Sequence, residues 1–289
     1  MASAPPLFIA EVSSNHSQKL SRCLQFVRAA ADIGCDAVKF QLFKIDQLFA
    51  PEVLTRSEEH RSRAQWELPL AFLPEIANEC KRVEVQFGCT PFYLDAVEQL
   101  LPYVDFFKIA SYELPWLDLI KACAQTKKPL YLSTGMANLD EIDAAVAAFK
   151  QAGGTELTLF HCVSGYPVPP EHCNLAAIKT LRDRYGVDVG WSDHSRKPGV
   201  VTRALERWRA QAIEFHLDLD EQGEEYGAGH CWLPSEMQPV IEQSKAMSVA
   251  DGSGIKEATD AERHERLWRA DPADGLRPFK EIRSNWWKK

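Results

Sequence analysis

The sequence predicts a single-domain (β/α)8 barrel, and three observations carry that prediction. Eight short apolar runs bounded by turn residues recur along the chain, and segments with helical spacing of apolar residues lie between them. The runs are apolar throughout rather than alternating, as expected of strands buried on both faces and paired in parallel through right-handed crossovers. Eight such units close naturally into a barrel. The competing arrangement is an open doubly wound sheet, but no Gly-rich phosphate turn follows the first run.

The first run is LFIAEVS, and the helical pattern LSRCLQFVRAAADIG follows it, with Gly34 placed to end the helix at positive φ. The second run, AVKFQLF, carries Lys39 where a buried strand would carry Val or Ile. The stretch from Lys44 to Leu68 is too long for an ordinary connection and is dense in charge (Arg56, Glu58, Glu59, His60, Arg61, Arg63), which reads as an excursion over the barrel mouth. VQFGCTPF and YLDAVEQLLPYV form the third unit. FFKIAS, with Lys108, and LDLIKACAQT form the fourth. PLYLSTG is the fifth strand, and Asn138 is placed to cap the helix LDEIDAAVAAFKQAG, which Gly153 ends. LTLFHCVS and LAAIKTLRDRYG follow, then VDVGWSDH and finally AIEFHLDL. After Leu219 the stretch DEQGEEYGAGHCWLP reads as a Gly-rich loop on the active face, followed by a helix over EMQPVIEQSKAM. The barrel domain is taken as residues 1–250. Residues 251–289 are taken as one more amphipathic helix and a polar tail ending in SNWWKK, with no room for a second folded domain.

Composition fits a large globular domain, with 289 residues of which 45% are hydrophobic and 26% charged. A formal charge of -8 argues against nucleic acid or an anionic membrane as a general partner. No apolar stretch approaches the roughly 20 residues that span a bilayer, and MASAPPLFIAEV lacks the marks of a leader, so a cytoplasmic protein is expected. Eight cysteines lie in apolar segments without C-x-x-C spacing, which suits buried, reduced thiols.

Strand tips of such a barrel face the catalytic end, so the chain supplies its own candidate list. It runs through Glu11, Asn15, His16, Lys39, Gln41, Thr90, Lys108, Ser111, Glu113, Ser133, Thr134, Ser164, Tyr166, Ser192, Asp193, His194, Glu214 and His216. His194 and His216 each close an apolar run, and imidazoles placed there can share one divalent metal. Each residue alone has an ordinary reading: a histidine near a strand end is commonly a hydrogen-bonded core residue, and a strand lysine commonly snorkels to solvent. Their convergence points to a site, because burying two ammonium groups without anionic partners costs several kcal/mol each, roughly. A metal beside lysines suits a small anionic substrate, a phosphate or carboxylate held while a carbonyl is polarised.

These residues resemble the N-acetylneuraminate (sialic acid) synthases and their nonulosonic acid relatives. The likeness runs through FIAEVSSNH, AVKFQLFK, CTPFYLDAV, FKIASYEL, LSTGMANLDEI, LFHCVSGYPVPPE, NLAAIKTL, VGWSDHS and IEFHLDLD. It implies condensation of phosphoenolpyruvate with an N-acylated aldose of the N-acetylmannosamine kind. Phosphate would leave by C–O cleavage, with a divalent metal (Mn²⁺, or Mg²⁺ or Co²⁺) as cofactor. By the same likeness His194 and His216 are the metal ligands, and Glu11 and His194 the catalytic residues. Lys39, Thr90, Lys108, Ser111, Ser133, Ser164 and Ser192 would cradle phosphoenolpyruvate, and Gln41, Glu113 and Tyr166 would meet the sugar. The family also implies a homodimer.

The sequence departs from the family pattern at several points. Tyr112 stands where relatives carry Gly, and Ser164 where some carry Asn. The family's G-P-D-H motif is here Gly227-Ala228-Gly229-His230, without its aspartate. Relatives continue into a small antifreeze-like domain bringing an arginine to the sugar, whereas this sequence ends at Lys289, so that domain is expected to be absent. His230, Trp232 and the charged segment after Lys44 are the candidate replacements. The competing functions are a Schiff-base aldolase using Lys39 or Lys108, a metal-dependent hydrolase, and a noncatalytic sugar-acid-binding or regulatory barrel.

Overall fold

The computed structural model describes residues 5–287. Its strands are β1 (Leu7–Glu11), β2 (Ala37–Leu42), β3 (Gln86–Pro91), β4 (Phe106–Ile109), β5 (Leu130–Ser133), β6 (Leu157–Cys162), β7 (Asp188–Asp193) and β8 (Ala212–His216). They pair in parallel in chain order, and β8 closes on β1, so the sheet is the closed barrel the sequence predicts. The helices packed around it are α1 (Leu20–Asp32), α2 (Leu73–Arg82), α3 (Leu94–Leu100), α4 (Leu117–Gln125), α5 (Leu139–Gln151), α6 (Ala177–Tyr185), α7 (Pro198–Glu206) and α8 (Pro234–Ala250). Local signals act as read: Asn138 and Glu141 form a reciprocal capping box on α5, while Gly34 and Gly153 sit at φ +87° and +79° after their helices.

Strand alternation divides each apolar run between two cores. Phe8, Ala10, Val38, Phe40, Phe107, Leu159, Val189 and Ile213 belong to the large cluster shared with the helices. Their neighbours in sequence, Ile9, Ala37, Phe106, Phe160 and Ala212, form a separate small cluster. Since successive side chains of a strand point to opposite faces, this second set fills the barrel interior. Two residues further along the same strands stand Glu11, Lys39, Lys108, Cys162 and Glu214. The interior is therefore an aromatic and aliphatic plug at its N-terminal end that gives way, one pleat higher, to a polar layer. Ring contacts stiffen the plug: Tyr131 stacks on Phe106 at 4.5 Å and meets Phe160 at 5.6 Å.

The Lys44–Leu68 excursion folds as short helical turns, Ile45–Leu48, Pro51–Arg56, Glu58–Ser62 and Arg63–Trp66. Residues 247–289 form a separate compact unit. The single amphipathic helix expected there is replaced by turns at Asp260–Glu262 and Glu265–Trp268 and a four-residue helix, Lys280–Arg283. Gly252 and Gly254 take positive φ at the start of this stretch, and Asp271 and Asp274 hold its later turns. Asp271 accepts from the backbone of Ala273 and Lys280, and Asp274 from that of Leu276 while also pairing with Arg283; such local bonds compete with a continuous helix. All eight cysteines are buried and free, as expected.

Gly88 on β3 is glycine because Phe106 of the plug occupies the space beside it: a Cβ there would lie 2.1 Å from the Phe106 ring. Gly88→Ala is therefore expected to destabilise the fold by about 2–3 kcal/mol, read as a lower denaturant midpoint at unchanged m value. An unchanged midpoint would show that the plug is loosely packed.

Candidate active site

The polar layer opens into a cavity of about 380 Å³ at the C-terminal end of the strands, a volume suited to small metabolites. Lys39, Lys108, His194 and His216 all line it, so the four cationic or metal-binding side chains singled out in the sequence share one space. Glu11, Gln41, Ser111, Ser133, Tyr166 and Ser192 also line it. Thr90, Glu113 and Ser164 do not. Thr90 lies one step back and accepts from Lys39 Nζ at 3.1 Å. Ser164 Oγ is buried without a hydrogen-bond partner near Gly135, whose missing Cβ lets Ser111, Cys162 and Ser164 close around it.

Register places the charges. Glu11 of β1 is level with Lys39 of β2 and with His216 of β8, while Ser192 of β7 is level with Glu214. Lys39 makes a close ion pair with Glu11, and Lys108 Nζ reaches both oxygens of Glu214 at 2.7 and 2.8 Å. Glu214 also accepts from Ser192 Oγ at 3.1 Å and lies 4.0 Å from Lys39. All four charged side chains are nearly inaccessible, at 1–4% exposure. At Glu214 burial favours the neutral form, but the lysines outweigh it and hold its pKa below the ordinary glutamate range. At Lys39 burial is outweighed by Glu11 and Glu214, and its pKa rises; at Lys108 burial and the neighbouring Lys39 draw the pKa down.

The histidines are oriented from behind. His194 Nδ1 donates to the carbonyl of Val163 at 2.8 Å, leaving Nε2 as the free lone pair. Burial, helped by the nearby His216, lowers the His194 pKa to about 3, so the ring is neutral as a ligand must be. His216 Nδ1 lies 2.8 Å from Glu225 Oε2; Glu225 outweighs burial there and raises the His216 pKa. His194 and His216 have ring centroids 5.4 Å apart, and His230 lies 4.6 Å from His216. His230 Nδ1 is buried without a partner. The His194, His216 and His230 imidazoles and the Glu225 carboxylate around one space are a donor set that fits a divalent metal.

The loop after β8 is held by buried polar contacts. Asn15 donates to the carbonyl of Leu217 and accepts from the backbone of Glu225, both at 2.9 Å. Arg22 donates to the Asn15 carbonyl and pairs with Asp218 and Asp220. Gly223 has no room for a side chain, because a Cβ would lie 2.4 Å from Asn15 Oδ1 and Asp218 Oδ1. Glu225 thereby reaches the cavity, as does Arg63 from the excursion after β2, together with Tyr112 and Cys162. Glu225 escaped the sequence reading. It has no periodicity to mark it, and its only signal is its place in a Gly-rich loop five residues before His230.

A family model described as the NeuB family matches residues 26–256. The chain belongs to the NeuB family. It is 35% identical over 272 residues to the N,N'-diacetyllegionaminic acid synthase of Campylobacter jejuni, covering 89% of this chain and 80% of that one. The spore coat polysaccharide biosynthesis protein SpsE of Bacillus subtilis is 31% identical over 268 residues, covering 87% of this chain and 70% of its own. Among solved structures, the sialic acid synthetase of Leptospira borgpetersenii, in complex with citrate, superposes with a TM-score of 0.79 at 28% identity, covering 91% of this chain and 90% of that one. This NeuB-family chain is accordingly a synthase-like enzyme, and no helix among its described residues is long and apolar enough to cross a membrane.

Glu113 yields a prediction of its own. Its Oε2 is buried without a partner, and burial raises its pKa from 4.5 to about 7. The folded protein thus holds this proton more tightly than the unfolded chain. The resulting penalty is absent below the unfolded pKa, grows as pH rises, and is complete above the folded one. Glu113→Gln is expected to gain stability over the parent as pH rises from about 5 to 8, by on the order of 2 kcal/mol at the upper end. An equal difference in midpoint at both pH values would show that Glu113 ionises freely.

Proposed function

We propose that this enzyme condenses phosphoenolpyruvate with an N-acylated aldose, forming a nonulosonic acid of the sialic type and releasing phosphate. The observation that carries the reading is the shared cavity, where buried Lys39 and Lys108 and the hydroxyls of Ser111, Ser133 and Ser192 meet the imidazoles of His194 and His216. Ammonium and hydroxyl donors are the right partners for phosphate and carboxylate oxygens. Lys39 and Lys108 would orient phosphoenolpyruvate together with Ser111, Ser133 and Ser192, while Thr90 fixes the Lys39 ammonium. The names of the relatives, an N,N'-diacetyllegionaminic acid synthase and a sialic acid synthetase, support an N-acylated sugar acid as the product.

The reaction joins C3 of phosphoenolpyruvate to the aldehyde carbon, adds water at C2, and breaks the C2–O bond as phosphate departs. His194 and His216 would hold a divalent metal, which when bound would supply Lewis acidity for a carbonyl. Glu11 would relay the proton of the attacking water, a role supported by Gln41 Nε2 holding one of its oxygens at 2.7 Å while Lys39 pairs with the other. Tyr166, 4.3 Å from the His194 ring, and Gln41 would meet the sugar, with Tyr112 narrowing the mouth. A cytoplasmic homodimer belongs to the same proposal on the family likeness alone.

A Schiff-base aldolase is the second reading, favoured by the lowered pKa of Lys108. The deciding experiment measures phosphate released from phosphoenolpyruvate over a panel of N-acyl hexosamines, with and without Mn²⁺. Release that requires both sugar and metal, and that falls by roughly 10²–10⁴ in Glu11→Gln, is expected. A borohydride-trapped adduct of a 2-oxo acid on Lys39 or Lys108 would establish the aldolase instead. Silence over the whole panel would favour a noncatalytic binding protein.

A further inference from the structure

We propose that Glu225, His230 and Cys231, all from the loop after β8, join His216 in a thiolate-bearing site for a zinc-class divalent ion. This rests on the reading that the cavity takes a divalent metal, and goes beyond it by naming further ligands and the kind of ion they select.

One ligand atom from each of His216, Glu225, His230 and Cys231 lies within 4.8 Å of the other three. Glu225 Oε2 is 2.8 Å from His216 Nδ1 and 3.5 Å from His230 Nε2, and His230 Nε2 is 3.9 Å from Cys231 Sγ. Tetrahedral coordination at ordinary zinc–nitrogen and zinc–sulfur lengths sets neighbouring donors roughly 3.4–3.6 Å apart. Two of the separations already lie near that range, and the third is a hydrogen bond that opens by roughly half an ångström when an ion takes the place of its proton.

Two further observations separate this from an ordinary buried hydrogen-bond network. His230 is only 4% exposed yet lines the cavity, so an ion can reach the cluster from it, and the nitrogen that faces both Glu225 and Cys231 is Nε2. Asn15 Nδ2 donates to Cys231 Sγ at 3.6 Å, while Asn15 Oδ1 accepts from the Glu225 backbone. One side chain thus holds two of the four ligands in place; burial and Glu225 push the Cys231 thiol up to about 12, so the bound ion itself would displace the thiol proton. The Arg22–Asp218 pair fixes the start of the same loop. Two imidazoles, one carboxylate and one thiolate favour Zn²⁺ or Co²⁺ over the oxygen-seeking Mn²⁺ and Mg²⁺.

The test loads the intact protein with Co²⁺ and records its absorption. A thiolate-to-cobalt charge-transfer band at one equivalent per chain is expected, lost in Cys231→Ser. That variant and His230→Gln should each release the ion at least roughly tenfold faster on dialysis. Cobalt bound without a sulfur band, or retention in His230→Gln equal to that of the parent, would overturn the proposal even if Cys231→Ser failed to fold. Phosphate release from phosphoenolpyruvate, measured with Mn²⁺ on the same preparation, keeps the two readings apart. Turnover without a sulfur band would leave the condensation standing and remove only the thiolate.

Discussion

Two ammonium groups buried inside a barrel are tolerable only because two carboxylates are buried with them, and the arrangement of this site follows from that compensation. Lys39 with Glu11 and Lys108 with Glu214 carry no net charge as a set, and Glu214 approaches both lysines. Removing any one member would leave an unbalanced charge in a region of low polarity. The cluster is therefore one electrostatic unit contributed by β1, β2, β4 and β8, and it requires the barrel to be closed. An incoming anion can compete with the glutamates for the lysines, which makes an anionic substrate and the resting ion pairs alternative partners for the same cations.

The plug beneath makes this layer possible. Phe106, Phe160 and Tyr131 fill the barrel interior so that water does not reach the ion pairs from the N-terminal end, while Gly88 and Gly190 give up their side chains to fit those rings. Above the charged layer, recognition passes to loops. The excursion after β2 delivers Arg63, the turn after β4 delivers Tyr112, and the Asn15-anchored loop after β8 delivers Glu225 and His230. Rigid strands hold the charges and separately folded loops shape the mouth, a division that lets one barrel architecture carry different mouths.

The barrel was legible in the chain because each strand needs an unbroken apolar run and each crossover a helical pattern, and both are local properties. Lys39 and Lys108 stood out because they interrupt such runs, and His194 and His216 because they close them. What was not legible depends on contacts distant in sequence. Thr90 and Ser164 sit at strand ends as expected, but whether a side chain lines the cavity or backs its wall is decided by neighbours on other strands. Glu113 has the right spacing after Ser111, yet its carboxyl is buried in the wall. Glu225 acts through an Asn15 contact spanning 210 positions, which no periodicity records. The helix expected after Asp251 gives way to turns: Gly252 and Gly254 take positive φ at its start, and Asp271 and Asp274 bind backbone groups further on.

The most direct test of the account is a double-mutant cycle on Lys108 and Glu214, replacing each with Met alone and then both together, with unfolding free energies measured at pH 7. If the two form one compensated unit, each single replacement is severe and the double replacement is much milder than their sum, leaving a coupling of about 2 kcal/mol or more. Additive effects would mean that the buried charges do not support one another, and the cavity would have to be explained without them.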